Sequence, residues 1–179
     1  KTPIVLFSSQ PFTTILISSN LKMFRYCWIW NKKKAGNFVL GNKMPLKIHE
    51  DICVFYRKLP VYNPQKTIGK YVHSQTGYIN RSTTASTCSG RVVSSAKYEP
   101  DKRLPTSIVE FKKDYGKKQI HPTQKPIDLL EYLIRTYTNE NDIVLDCCMG
   151  SGSTGIASLN TNRQFIGMEL DIDYYQIAQ

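Results

Sequence analysis

The segment Val144-Leu145-Asp146-Cys147-Cys148-Met149-Gly150-Ser151-Gly152-Ser153-Thr154-Gly155 constrains this chain more than any other. Ile143 to Asp146 reads as a short buried strand ending on an acid, a glycine-rich loop comes directly after it, and a helix is expected near Thr154 to Leu159. Gly150 to Gly155 satisfies G-x-G-x-x-G, a weak pattern alone and a stronger one between a strand and a helix. Glycines let the backbone pass close to a ligand, and the free amides of a helix start favour anionic or polar groups. Phe165 to Leu170 reads as the next strand. Its Glu169 falls about 20 residues beyond the loop, where an acid can accept hydrogen bonds from both hydroxyls of a ribose. Asp171 caps a final helix through Ile177. Strand, loop, helix, strand and helix in that order begin a doubly wound α/β sheet. The plainer alternative is a tight glycine turn before an ordinary helix.

Upstream of the loop, Pro126 opens a helix with Asp128 in its first turn, and Leu129, Leu130, Leu133, Ile134 and Tyr137 fall on one face. Near the start, Ile4 to Phe7, Phe24 to Trp30 and Asp51 to Tyr56 read as short buried strands, with a helix expected over Pro11 to Asn20. From Pro60 to about Gln119 the chain turns polar and basic, helical periodicity disappears and apolar residues thin out. A stretch that long without an element of its own usually carries function, and it reads as a contact region rather than a second core.

The charge balance points the same way. Lysine and arginine total 24 against 14 acids, a net +10 over 179 residues, which suits a polyanionic partner such as nucleic acid. Lys32, Lys33 and Lys34 come directly after Trp30-Asn31, and Arg81 and Arg91 sit in the polar middle, so these five are the candidate DNA contacts. Ser8 to Gln10 and Ser18-Ser19 break up the apolar opening, so no membrane span and no signal peptide are expected there. Five cysteines without a CxxC, and three histidines away from zinc spacing, predict free thiols in a reducing cytoplasm and no metal site.

Two adenosine cofactors suit the loop. A dinucleotide fingerprint usually opens its domain and has further strands after it, whereas here few elements come after Gly155. S-adenosylmethionine needs room for one nucleoside and a methionine tail, and position favours it. A nicotinamide-dependent oxidoreductase remains the reading that fits the glycine pattern alone.

His121-Pro122-Thr123-Gln124-Lys125-Pro126, an amphipathic helix and then Asp146 to Gly152 resemble the β-arranged DNA amino-methyltransferases, the adenine-N6 and cytosine-N4 methylases. Phe165-Ile166-Gly167-Met168-Glu169-Leu170-Asp171, with Tyr174 or Tyr175 and Ala178, is similar to that family's next motif. Ser9-Gln10-Pro11-Phe12, Ser19-Asn20, Trp28 to Lys32, His49-Glu50 and Val54-Phe55 also fall where the family places similar residues.

The resemblance implies a Rossmann-like α/β fold with permuted motif order, moving a methyl group from S-adenosylmethionine to the exocyclic amine of a base in double-stranded DNA. Adenine N6 is the expected target, with cytosine N4 and an inactive DNA-binding remnant as alternatives. Cofactor contacts are implied for Asp146, Gly150, Ser151, Gly152, Thr154 and Glu169, and for His121, Thr123 and Lys125 on the HPTQKP side. Residues 1–59 would supply catalytic-half strands, 60–119 the target-recognition region and 120–179 the cofactor region. The family's Asp/Asn/Ser-Pro-Pro-aromatic motif does not occur in this sequence. It is expected upstream of Lys1, so no catalytic residue is assigned. Where the family usually has proline and an aromatic or apolar residue, this chain has Cys147-Cys148. The family setting adds a bacterial or phage cytoplasm, with a homodimer and a cognate restriction endonuclease as expected partners.

Overall fold

The computed structural model describes residues 1–69, 101–113 and 121–179. In chain order the elements are β1 (Ile4–Ser8), α1 (Phe12–Ser19), β2 (Phe24–Asn31), β3 (His49–Phe55), β4 (Thr67–Ile68) and β5 (Lys102–Arg103). They continue with β6 (Ile108–Glu110), α2 (Ile127–Tyr137), β7 (Ile143–Asp146), α3 (Ser153–Asn160), β8 (Gln164–Gly167) and α4 (Ile172–Ala178). Two compact units result, Lys1–Gln65 with Thr106–Gln179, and Lys66–Pro105. The second holds the β4–β5 pair, antiparallel with Thr67 opposite Arg103.

In the first unit, four strands form one sheet in the order β1-β3-β2-β6. β3 lies between β1 and β2 and is antiparallel to both, while β6 runs parallel to β2. Aromatic and β-branched residues fill these strands because they pack well on a pleated surface. Trp28, Trp30, Ile52 and Val54 are buried under α2, whose Leu129, Leu133 and Tyr137 join the same cluster. Burying each such side chain contributes about 1.5–3 kcal/mol. The buried polar tips are paired: the Trp28 indole N–H donates to the Tyr137 hydroxyl at 2.7 Å, and the Tyr26 hydroxyl meets it at 2.9 Å. Burial pushes the Tyr137 hydroxyl far up, keeping it neutral.

β7 and β8 form a separate parallel pair, with Val144 opposite Phe165 and Asp146 opposite Gly167. A second stripe of α2 serves this pair: Leu130 and Ile134 pack with Ala157 of α3, with Val144 of β7 and Phe7 of β1 at the margin. One helix therefore roofs both sheets. Among the described residues no helix is long and apolar enough to cross a membrane.

Four expectations change. β7, expected to be buried, leaves Ile143 and Leu145 exposed, because only its face toward α2 and α3 is packed. β8 ends at Gly167, not Leu170, because its ladder partner β7 ends opposite it at Asp146. Glu169 therefore stands two residues past the strand, in the turn that leads to α4. Pro126 is extended (ψ 135°) and precedes α2, which begins at Ile127. Within the polar stretch 60–119, Ile108–Glu110 adds β6 to the main sheet and puts Val109 in the core.

Candidate functional site

β7 delivers Asp146 to the start of the glycine loop, where its carboxylate ties the two ends of the loop together. One oxygen accepts from the Thr154 hydroxyl at 2.6 Å, the other from the Cys148 amide at 3.1 Å. Gly150 and Gly152 both take left-handed backbone conformations, φ 54° and 76°, which glycine adopts without strain. The neighbours leave little room for side chains there. A Cβ on Gly150 would come within 3.3 Å of the His121 ring, and one on Gly152 within 3.0 Å of the Ala178 Cβ. Gly152 caps α3, so the loop ends on the positive end of a helix.

Glu169 closes the loop from the other side. Its Oε2 accepts from the Gly150 amide at 2.7 Å, and its Oε1 from the Leu170 and Asp171 amides at 2.9 and 3.0 Å. The Asp171 and Gly150 amides, helped by Leu170 and nearby His121, hold the carboxyl below the usual range. An ionised carboxylate offers about four lone-pair sites, so acceptor capacity remains for a ligand hydroxyl. The Met149 amide donates to the Met168 carbonyl at 3.0 Å, which ties the loop to the turn that carries Glu169.

The HPTQKP turn lies against the same loop. The His121 ring stands edge-on to Tyr174 of α4 at 4.3 Å, and its Nδ1 lies 3.0 Å from the Thr123 hydroxyl. Gln124 reaches the loop directly, its Oε1 accepting from the Ser151 hydroxyl at 3.3 Å. Lys125 points the other way. Its ammonium bonds Glu50 Oε2 of β3 at 3.0 Å and sits 5.1 Å from the Phe7 ring and 5.8 Å from the Trp30 ring.

Asp146, Gly150, Ser151, Gly152, Thr154, Glu169, His121 and Thr123 are thus gathered around one loop, while Lys125 is turned toward the main sheet. Sequence reasoning did not single out Gln124 or Glu50. The Gln124 signal was available inside HPTQKP, and His49-Glu50 matched the family pattern, but nothing local marked Glu50 as the partner of Lys125. Of the expected DNA contacts, Lys32 pairs with Glu50 at 3.3 Å and Lys33 with Glu110 at 2.8 Å. Lys34 lies just past the end of β2, and Arg81 and Arg91 lie outside the described residues. Cys147 and Cys148 are both exposed beside the loop, and partial desolvation, with the Asp146 charge and Cys147 adding to it, pushes the Cys148 thiol up. A polar groove lined by Asn63, Arg135, Asn139 and Arg163 lies at the opposite ends of β7 and β8. Ligands of open α/β sheets bind outside the carboxyl ends of the strands, which selects the glycine loop instead.

An acid-flanked glycine loop between two parallel strands is the arrangement common to Rossmann-like folds. The DNA methylase family profile matches residues 5–179. Over 80 residues, 45% of this chain and 34% of the relative, the sequence is 42% identical to the putative methylase YubD of Escherichia coli. Over 58 residues, 32% and 20% respectively, it is 44% identical to the DNA adenine methyltransferase YhdJ of Escherichia coli. These matches span about a third or less of either relative. The crystal structure of the M1.HpyAVI–SAM complex superposes with a TM-score of 0.65 at 26% identity, over 98% of this chain and 72% of that one. The chain belongs to the DNA methylase family, whose members modify adenine N6 or cytosine N4, and its fold is the Rossmann-like α/β methyltransferase fold.

Proposed function

We propose that this chain binds S-adenosylmethionine at the glycine loop and belongs to an enzyme that methylates the exocyclic amine of a base in duplex DNA, adenine N6 by preference. The observation that carries the reading is the Glu169 carboxylate, fixed by three backbone amides beside two left-handed glycines. Bound there, the cofactor supplies a methyl group activated on a sulfonium. The chain's own residues hold and orient. Glu169 accepts from a ribose hydroxyl through its remaining Oε2 lone pair, the Gly150 to Gly152 backbone and Asp146 face the methionine part, and His121 with Thr123 closes the HPTQKP side. Positioning of donor and acceptor is the main protein contribution to an in-line transfer, and the target base must leave the stack to receive it.

The net charge of +10 supports duplex DNA as the partner through phosphate contacts. The identity with a DNA adenine methyltransferase favours adenine over cytosine. We place target recognition in the basic middle of the chain, where Arg81 and Arg91 lie, with Lys33 and Lys34 as further phosphate contacts. On this reading the exposed Lys33 exchanges Glu110 for phosphate, while Lys32 keeps Glu50.

Calorimetry with S-adenosylhomocysteine and with NAD tests the cofactor. Saturable binding of S-adenosylhomocysteine is expected, and NAD binding in its absence overturns the reading. For the base, duplex DNA treated with the full-length enzyme and methyl-labelled cofactor is digested to nucleosides. Label in N6-methyldeoxyadenosine is expected, and label in N4-methyldeoxycytidine reverses the choice.

A further inference from the structure

We propose that Glu50 is a positioning residue for the glycine loop, acting through Lys125 and the adjoining Gln124. The inference rests on reading that loop as the cofactor site. Glu50 belongs to β3 in the four-stranded sheet, whereas the loop comes after β7 in the two-stranded one, and no ladder joins the two sheets among the described residues. Apolar contacts under α2 hold the sheets together, but such contacts are non-directional and do not fix a loop to a fraction of an ångström.

Directional contacts do, and they converge on two neighbouring residues. Lys125 is anchored on the main sheet, bonded to Glu50 at 3.0 Å and lying over the rings of Phe7 and Trp30. Glu50 is itself braced by Lys32 at 3.3 Å. The Lys125 and Glu50 side chains are only 21% and 19% exposed, so solvent and salt screen the pair weakly. Gln124, one residue earlier, accepts from Ser151 of the loop at 3.3 Å and from the His121 amide at 3.4 Å. The His121 ring in turn packs where a Cβ on Gly150 would point. Removing the Glu50 charge leaves a partly buried ammonium held by its weaker contacts with the two rings alone. The ammonium then moves toward water and carries Gln124 and His121 off the loop.

The test compares wild type, Glu50→Gln, Lys125→Arg and Gln124→Ala, each well below its unfolding temperature. Hydrogen exchange is read at residues 148–152 and in β2 and β3, and S-adenosylhomocysteine affinity is measured by calorimetry. Glu50→Gln should speed exchange in the loop, leave β2 and β3 protected, and weaken binding about 10-fold. Lys125→Arg, which keeps the charge, should retain most of both properties. Gln124→Ala leaves the ion pair intact and should give the same loop signature, so the test does not depend on Glu50→Gln folding. A cycle combining Glu50→Gln with Ser151→Ala should be non-additive although the two residues share no contact. Unchanged loop exchange, affinity within about twofold of wild type, or strict additivity overturns the proposal. A wild-type protein that binds no S-adenosylhomocysteine defeats the cofactor reading instead, and the exchange comparison still decides the role of Glu50.

Discussion

The four-stranded sheet and the β7–β8 pair are built from similar apolar residues, yet they are stabilised differently. In the first, Ile52, Cys53, Val54 and Phe55 of β3 are all buried, so both faces of the central strand are covered. In the second, Ile143, Leu145 and Ile166 are 59%, 61% and 48% exposed, and only the face toward α2 and α3 is packed. The glycine loop stands on the thinner support. Its shape comes from directional bonds of Asp146, Glu169 and Gln124 rather than from burial. Apolar burial holds the scaffold, and hydrogen bonds hold the loop. Regions of low local stability are where binding loops are commonly drawn from.

That contrast can be broken by mutation. Trp30→Ala removes a fully buried ring from the main sheet and should cost about 3–5 kcal/mol in denaturant unfolding. Gly152→Val forces a branched side chain into a left-handed conformation against Ala178. It should cost about 1–3 kcal/mol and abolish S-adenosylhomocysteine binding. A loss as large as that of Trp30→Ala would show that the loop carries the fold after all. Asp146→Ala frees the Thr154 hydroxyl and the Cys148 amide, and should weaken the same ligand about 10-fold while costing about 1 kcal/mol.

The smallest effect is one of pH. Burial raises the Glu50 carboxyl, but Lys125 and Lys32 outweigh it and bring the group below its ordinary range. A depressed carboxylate contributes stability above its unfolded value, about 4.3, and loses it as pH falls through the folded value. Wild type and Glu50→Gln should therefore differ by a constant amount from about pH 8 to 5 and converge only in more acid solution. Convergence near neutrality, in pH-dependent melting curves, would mean that the pair is not formed.

Local signals explain which parts could be read without coordinates. The α2 face was legible because five apolar positions recur at helical spacing, and β7 because an apolar run stops on an acid before glycines. Glu169 was legible by its distance from the loop, though its place past β8 was not. Where a ladder stops depends on the length of the partner strand, and β7 lies about 20 residues upstream. β6 escaped for a related reason: three residues are too few for a period, and its place is set by Trp30 opposite Val109. Glu50 was the hardest to see. Its partners Lys32 and Lys125 are 18 and 75 positions away, and the sequence assigned them to DNA and to the cofactor rather than to Glu50.

β1 and β7 each have one strand edge without a ladder partner among the described residues, and Ile4, Leu6, Ile143 and Leu145 are exposed along them. These side chains stand on the faces of their sheets, because residues i and i+2 of a strand point the same way, and the edges themselves present backbone amides and carbonyls. The excess of ten positive charges keeps copies apart in dilute buffer, because like-charged molecules repel beyond contact range. That repulsion reaches about 10 Å at 0.1 M salt and about 3 Å at 1 M. In colloidal terms the chain is a charged particle whose self-repulsion shortens as salt is added.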